Sequence, residues 1–195
     1  MGMVTVNAVA PTVPTGYSVQ PQADSAGSVY VNHEVRKASY VATTSGVVVT
    51  ANGVLLQIIG SATKTVRITR IYATGVLTAA AQVLVQVQRT TAAASSVSGA
   101  AVVTPALLDS TSAAATAVAT SYTSATLGTG NTLLRSNRAF YSPATAASIG
   151  AEFIFGTRNT QALVLRGTSQ WAQVTVSASG YGGALFDLEV EFTEE

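Results

Sequence analysis

Hydrophobic and polar positions along this chain alternate with a period of two, most cleanly near its C-terminus. Over residues 185–192, Phe186, Leu188, Val190 and Phe192 share one side, while Asp187, Glu189 and Glu191 take the other. Residues 82–90 repeat the pattern with Val83, Val85 and Val87 against Leu84, Gln86 and Gln88. Such alternation over β-branched and aromatic residues predicts half-buried strands. The β-branched run 64–74 precedes the second of these, separated from it by a small-residue linker at 75–81. Strands are also expected at 39–51, 133–141, 149–155, 163–166 and 171–177, with Gly156 and Gly167 as stops. Residues 54–59 are continuously apolar and predict a strand buried on both faces. Asn52-Gly53 before them is a hairpin-turn signal, because both residues tolerate positive φ. Residues 91–99 read as a small-residue loop, and 101–108 as a short strand broken by Pro105. The alanine-rich stretch 113–123 predicts a short helix or turn running into a strand at 118–122. About eight to ten strands with longish loops predict an all-β chain, specifically a jelly-roll-like β-sandwich.

The N-terminal 38 residues break this pattern. Three of the five prolines, Pro11, Pro14 and Pro21, sit here with Gly16, Gly27 and a polar run at 20–25. Residues 1–38 therefore read as an extended N-terminal arm that packs weakly on itself, and 39–195 as the sandwich domain. Two readings of the arm stand side by side: a plain terminus, or a segment that orders against a neighbouring subunit.

Composition narrows the function more than the fold. The 195 residues are 48% hydrophobic but only 10% charged, against roughly 25% charged in an ordinary domain. Ala, Val, Thr and Ser supply the difference, and a surface so poor in charge suggests cover by partners. Ten basic and nine acidic residues leave a net charge of +1, so no clustered cationic footprint for nucleic acid is expected. Eight of the bases are Arg, at positions 36, 67, 70, 89, 135, 138, 158 and 166; Arg suits planar pairing at interfaces. The absence of Cys excludes disulfide and thiol chemistry. No run approaches the ~18 apolar residues of a membrane helix, and the N-terminus lacks the positive n-region of a signal peptide. With 7% aromatics, the girdles of an outer-membrane barrel are not expected either.

Candidate chemistry is thin. The single His, His33, lies in the arm near Asp24 and Glu34, too few ligands for a metal site. A Ser-His-Asp triad would need this same His, and no Gly-x-Ser-x-Gly elbow supports it. The acidic group Asp187, Glu189, Glu191, Glu194 and Glu195 could hold paired carboxylates, but its first three members project from one strand face. Solvation or edge protection explains them, or pairing with Arg of another subunit. The glycine-rich stretch 179–183 lacks the Lys-Ser/Thr and helix of a phosphate loop. The expectation is a non-enzyme without cofactor or metal. Arg67, Arg70 and Arg89 are the expected interface cations, with Asp187, Glu189 and Glu191 as interface carboxylates.

The run Gly-Ser-Ala-Thr-Lys-Thr-Val-Arg-Ile-Thr-Arg-Ile at 60–71 resembles a family of tailed-bacteriophage virion structural proteins. The same resemblance extends to 108–117, to Tyr122-Thr123, to the Leu165-Arg166-Gly167 turn and to the terminal Glu191-Phe192-Thr193-Glu194-Glu195. It implies a capsid decoration or cement protein on the virion surface, made in the host cytoplasm. Its implied partner is the major capsid protein, and the implied assembly a homotrimer that touches neither nucleic acid nor membrane. A head-fibre or tail accessory module that recognises host-surface carbohydrate is the alternative. That alternative needs an exposed aromatic pocket, for which Trp171, Tyr141 and Tyr181 are the candidates.

Overall fold

The computed structural model describes residues 22–23, 29–30, 37–143, 149–156, 161–177 and 184–195. His33, Tyr181, Arg36, Arg158, the glycine-rich 179–183 stretch and most of the expected arm lie outside them. Residues 1–36 and 37–195 form two separate units. In the first, β1 (Gln22–Ala23) and β2 (Val29–Tyr30) pair antiparallel.

The second unit is an all-β sandwich, and no helix occurs among its described residues; hence none there is long and apolar enough to cross a membrane. Its strands are β3 (Ala38–Val49), β4 (Gly53–Ile59), β5 (Thr65–Val76), β6 (Ala81–Thr90), β7 (Ser95–Ser98), β8 (Ala101–Val103) and β9 (Ala106–Leu107). They continue with β10 (Val118–Ser121), β11 (Ser124–Thr126), β12 (Thr132–Tyr141), β13 (Ala151–Ile154), β14 (Leu163–Arg166), β15 (Trp171–Ser177) and β16 (Ala184–Glu194). Sheet I has the order β13-β5-β16-β3-β9, with β14 pairing beside β13 on β5; sheet II runs β12-β6-β15-β4-β10-β8. All pairings are antiparallel. The long strands pair from the outside inward along the chain: β3 with β16, β4 with β15, β5 with β13 and β14, β6 with β12.

The period-two pattern sets which face is buried. Phe186, Leu188, Val190 and Phe192 of β16 are buried together with Val83, Val85 and Val87 of β6 in one core. Burying each such side chain contributes roughly 1.5–3 kcal/mol. Tyr40 stacks on Phe192 with centroids 5.2 Å apart, and Tyr141 meets Phe186 edge-on at 5.3 Å. The Tyr141 hydroxyl crosses the core to donate to Ala73 O at 2.9 Å. Burial pushes its pKa up to about 12.

One local expectation fails because neighbours in sequence enter opposite sheets. Asn52-Gly53 closes no hairpin, because β3 lies in sheet I and β4 in sheet II. Gly53 instead makes a corner at φ +151°, where a Cβ would stand 2.2 Å from Ala125 O. Strands β5 and β6 likewise face each other across the core and do not pair. The 101–108 strand splits at Pro105 into β8, on the edge of sheet II, and β9, on the edge of sheet I. Residues 113–116 are irregular and not helical, and the expected 91–99 loop contains β7, which pairs with β11.

Strand β4 is covered on both faces, as its apolar run predicts. Outside the sheet, Val54, Tyr122 and Ala125 form a second small cluster with Ala94 and Leu127. Beside it Gln173, fully buried, accepts from Gly128 N at 3.0 Å and donates to Ala92 O at 3.2 Å. Gln57 Oε1 accepts from Ala94 N at 3.0 Å and from Gln173 Nε2 at 3.3 Å. These bonds tie the 91–94 and 127–130 loops down over sheet II.

Candidate interaction surface

The six expected interface residues divide between the two sheets. Strand β16 is central in sheet I, flanked by β5 and β3, so its carboxylates do not guard an edge. They stand on the sheet's outer face because their alternate neighbours fill the core. The register sets Glu191 opposite Arg70 and Glu189 opposite Tyr72, with Glu152 on the other side of Tyr72. Arg70 Nη1 donates to Glu189 at 2.8 Å and to Glu191 at 2.9 Å, and its Nε donates to Glu152 at 2.7 Å. Hydrogen bonds to Glu152 and then Glu191 hold the Arg70 pKa above its ordinary value. Its guanidinium also lies 5.5 Å from the Tyr72 ring centroid.

The other three have different surroundings. Arg67 pairs with Glu195, which also meets Lys37 at 2.7 Å. Hydrogen bonds from Lys37 and Arg67 lower the Glu195 pKa below its ordinary 4.5. Asp187 accepts from Gly46 N at 2.7 Å, fixing the positive-φ bulge of β3 there. Arg89 is exposed at the end of β6 in sheet II, opposite Ala172.

Sequence reasoning missed two groups. Glu194 was expected with the acidic tail, yet its side chain is wholly buried. Its carboxylate accepts from Ala117 N at 2.7 Å, Thr116 N at 2.9 Å, the Thr116 hydroxyl at 3.0 Å and Lys64 Nζ at 3.1 Å. Ser61 Oγ, 2.7 Å from the Thr116 hydroxyl, accepts from the backbone of Thr63 and Lys64. Hydroxyl, amine and carboxylate thus meet in one cluster, but each is consumed in holding the 113–117 loop. Parity was the signal: position 194 continues the buried series 186, 188, 190, 192. The second missed group is Arg135 and Arg138 on β12, whose bulge between Leu133 and Arg135 shifts the register. Arg135 reaches the Phe155 ring at 5.7 Å.

Of the candidate aromatics, Tyr141 is fully buried and cannot line an exposed pocket. Trp171 is half-buried on the outer face of sheet II, in a cross-strand row with Ile59 and Val118. A second exposed apolar row, Val48, Leu185 and Val76, crosses sheet I beyond Asp187. No group of three or more metal-ligating side chains occurs among the described residues. Compared with known proteins, the chain matches no family model, no curated protein and no solved structure.

Proposed function

We propose that this chain is a non-enzymatic structural protein of a tailed-phage virion, a decoration or cement protein that binds the major capsid protein and stabilises the head lattice. The observation that carries the reading is the division of labour among its polar groups. Those in the interior, Glu194, Ser61, Gln57 and Gln173, are spent on holding loops. What remains outside is a weakly charged surface with exposed apolar rows. That composition fits adhesion by shape, hydrogen bonds and modest apolar contact.

The fold reading that accompanies it is a jelly roll. Its support is the nested pairing of first with eighth, second with seventh, third with sixth and fourth with fifth long strand, β13 and β14 sharing the sixth place. A long antiparallel ribbon rolled into two sheets pairs its strands in that way, and capsid proteins are among the users of that architecture. A homotrimer made in the host cytoplasm and carried on the capsid surface completes the proposal.

The second reading, a carbohydrate-recognising head-fibre or tail module, has one observation in its favour: the half-exposed Trp171 beside Ile59 and Val118. Lectins also use jelly rolls. Quantitative mass spectrometry of purified virions separates the two. A copy number that scales with the capsomers supports decoration, and one that matches a single tail or portal ring overturns it. Glycan binding abolished by Trp171→Ala supports the second reading.

A further inference from the structure

Among the described strands, acidic residues occur only in sheet I. Strands of sheet II carry Arg89, Arg135 and Arg138 and not one acidic residue. The outer face of sheet I carries Glu152, Glu189 and Glu191 around Arg70, with Asp187 in the next row; Arg67, paired with Glu195, and the exposed Arg166 share that face. Every ion pair among the described residues involves Lys37, Lys64, Arg67 or Arg70. Among the described residues the three arginines of sheet II have no carboxylate partner; Arg135 and Arg138 lie on the edge strand β12 and Arg89 on β6 beside it.

Both charged regions adjoin apolar surface. Leu133 and Phe140, 52% and 44% exposed, lie at the two ends of β12 around its arginines. Val48, Leu185 and Val76, 46%, 43% and 37% exposed, border the carboxylates. We propose that copies of this chain associate head-to-tail, the Arg-bearing β12 edge of one seating on the carboxylate-rich outer face of sheet I in the next. The inference deepens the homo-oligomer part of the reading above, but it rests on charge placement within the sandwich and needs no capsid.

Complementary potentials set register and orientation more than raw affinity. Pairing β12 edge-to-edge with its own copy would instead bring two Arg-bearing strands together, with no acid on the strand to offset them. One end of the edge is in any case occupied, since Phe140 O accepts from Ile149 N at 2.8 Å. Edge and face belong to different sheets, so the contact is heterologous and closes into a ring if the rotation permits.

Native mass spectrometry and light scattering on the full chain test this with two variants. One carries Arg135→Glu with Arg138→Glu, the other Glu152→Gln with Glu189→Gln. The wild type is expected to self-associate at low salt, and about tenfold more weakly when salt shortens the Debye length to a few Å. Each variant alone is expected to be monomeric. Their mixture should give a two-chain complex, because one variant keeps its face and the other its edge. Circular dichroism checks the fold; a variant that fails it is replaced by its Arg→Gln or Glu→Ala counterpart. A wild type monomeric at both salts overturns the proposal, as do variants that assemble like wild type or a mixture that stays monomeric. A monomer that still decorates particles overturns it too while leaving the capsid function standing.

Discussion

Glu194 and two members of the Arg70 cluster, Glu191 and Glu189, are carboxylates of the same strand, three and five residues apart, in opposite circumstances. Glu194 points into the sandwich and meets four donor groups with no water in reach. Glu189 and Glu191 point outward and share one guanidinium, their side chains about a third exposed. Water competes for the outer pairs and screens them, so each contributes little to stability. Around Glu194 the alternative to each bond is an unsatisfied buried group, so its removal is expensive. Geometry alone does not separate the two, since the distances are similar. The contrast teaches that the inner carboxylate organises the fold, whereas the outer ones are available for recognition.

The sharpest way to break that contrast is Glu194→Ala. It strands Lys64, Thr116 N and Ala117 N, and a loss of about 3–5 kcal/mol is expected, read by urea denaturation. Hydrogen exchange at Thr116 and Ala117 should rise in parallel. A loss no larger than that of the outer carboxylates would remove the distinction.

Gln173→Leu tests the same logic with a neutral group. Gly128 N loses its partner while Ala92 O keeps only the Thr90 hydroxyl, and about 1–3 kcal/mol should follow. Thr44 is the converse case, its buried Oγ1 having no partner among the described residues. Thr44→Val replaces a stranded hydroxyl by a methyl of similar volume, and a gain of about 1 kcal/mol is expected.

The outer cluster should respond least. Arg70→Gln is expected to cost under about 1 kcal/mol in moderate salt, with thermal unfolding little changed. Glu195 sets the accompanying pH dependence. Its folded pKa lies below the ordinary 4.5, so its contribution is whole above that value and fades as pH falls through the folded one. Arg67→Gln should flatten that acid limb slightly and leave the neutral plateau in place.

Several features were legible in residue order alone. Alternation at 83–87 and 186–192 marks the core side of β6 and β16, because successive strand residues point to opposite faces whatever the strand pairs with. The glycine stops at 156 and 167 mark strand ends for a local reason, positive φ. Even the burial of Glu194 was implicit in parity. Its acidity argued for solvent, and the loop that packs over it supplies most of the donors.

Partner choice was not legible. Strands β3 and β4 read as a hairpin, and a short connection such as that between β5 and β6 usually joins adjacent strands. Here each connection crosses the sandwich, and the true partners lie far apart along the chain, as with Leu185 and Val48. Whether Arg70 is a lone surface cation or the centre of three carboxylates depends on that pairing. So does the gathering of Arg89, Arg135 and Arg138 on β6 and the edge strand β12. Local sequence determined which side of each strand faces the core. Tertiary structure decided which strands meet, because antiparallel register is settled by the joint burial of both sheets and no single segment encodes it.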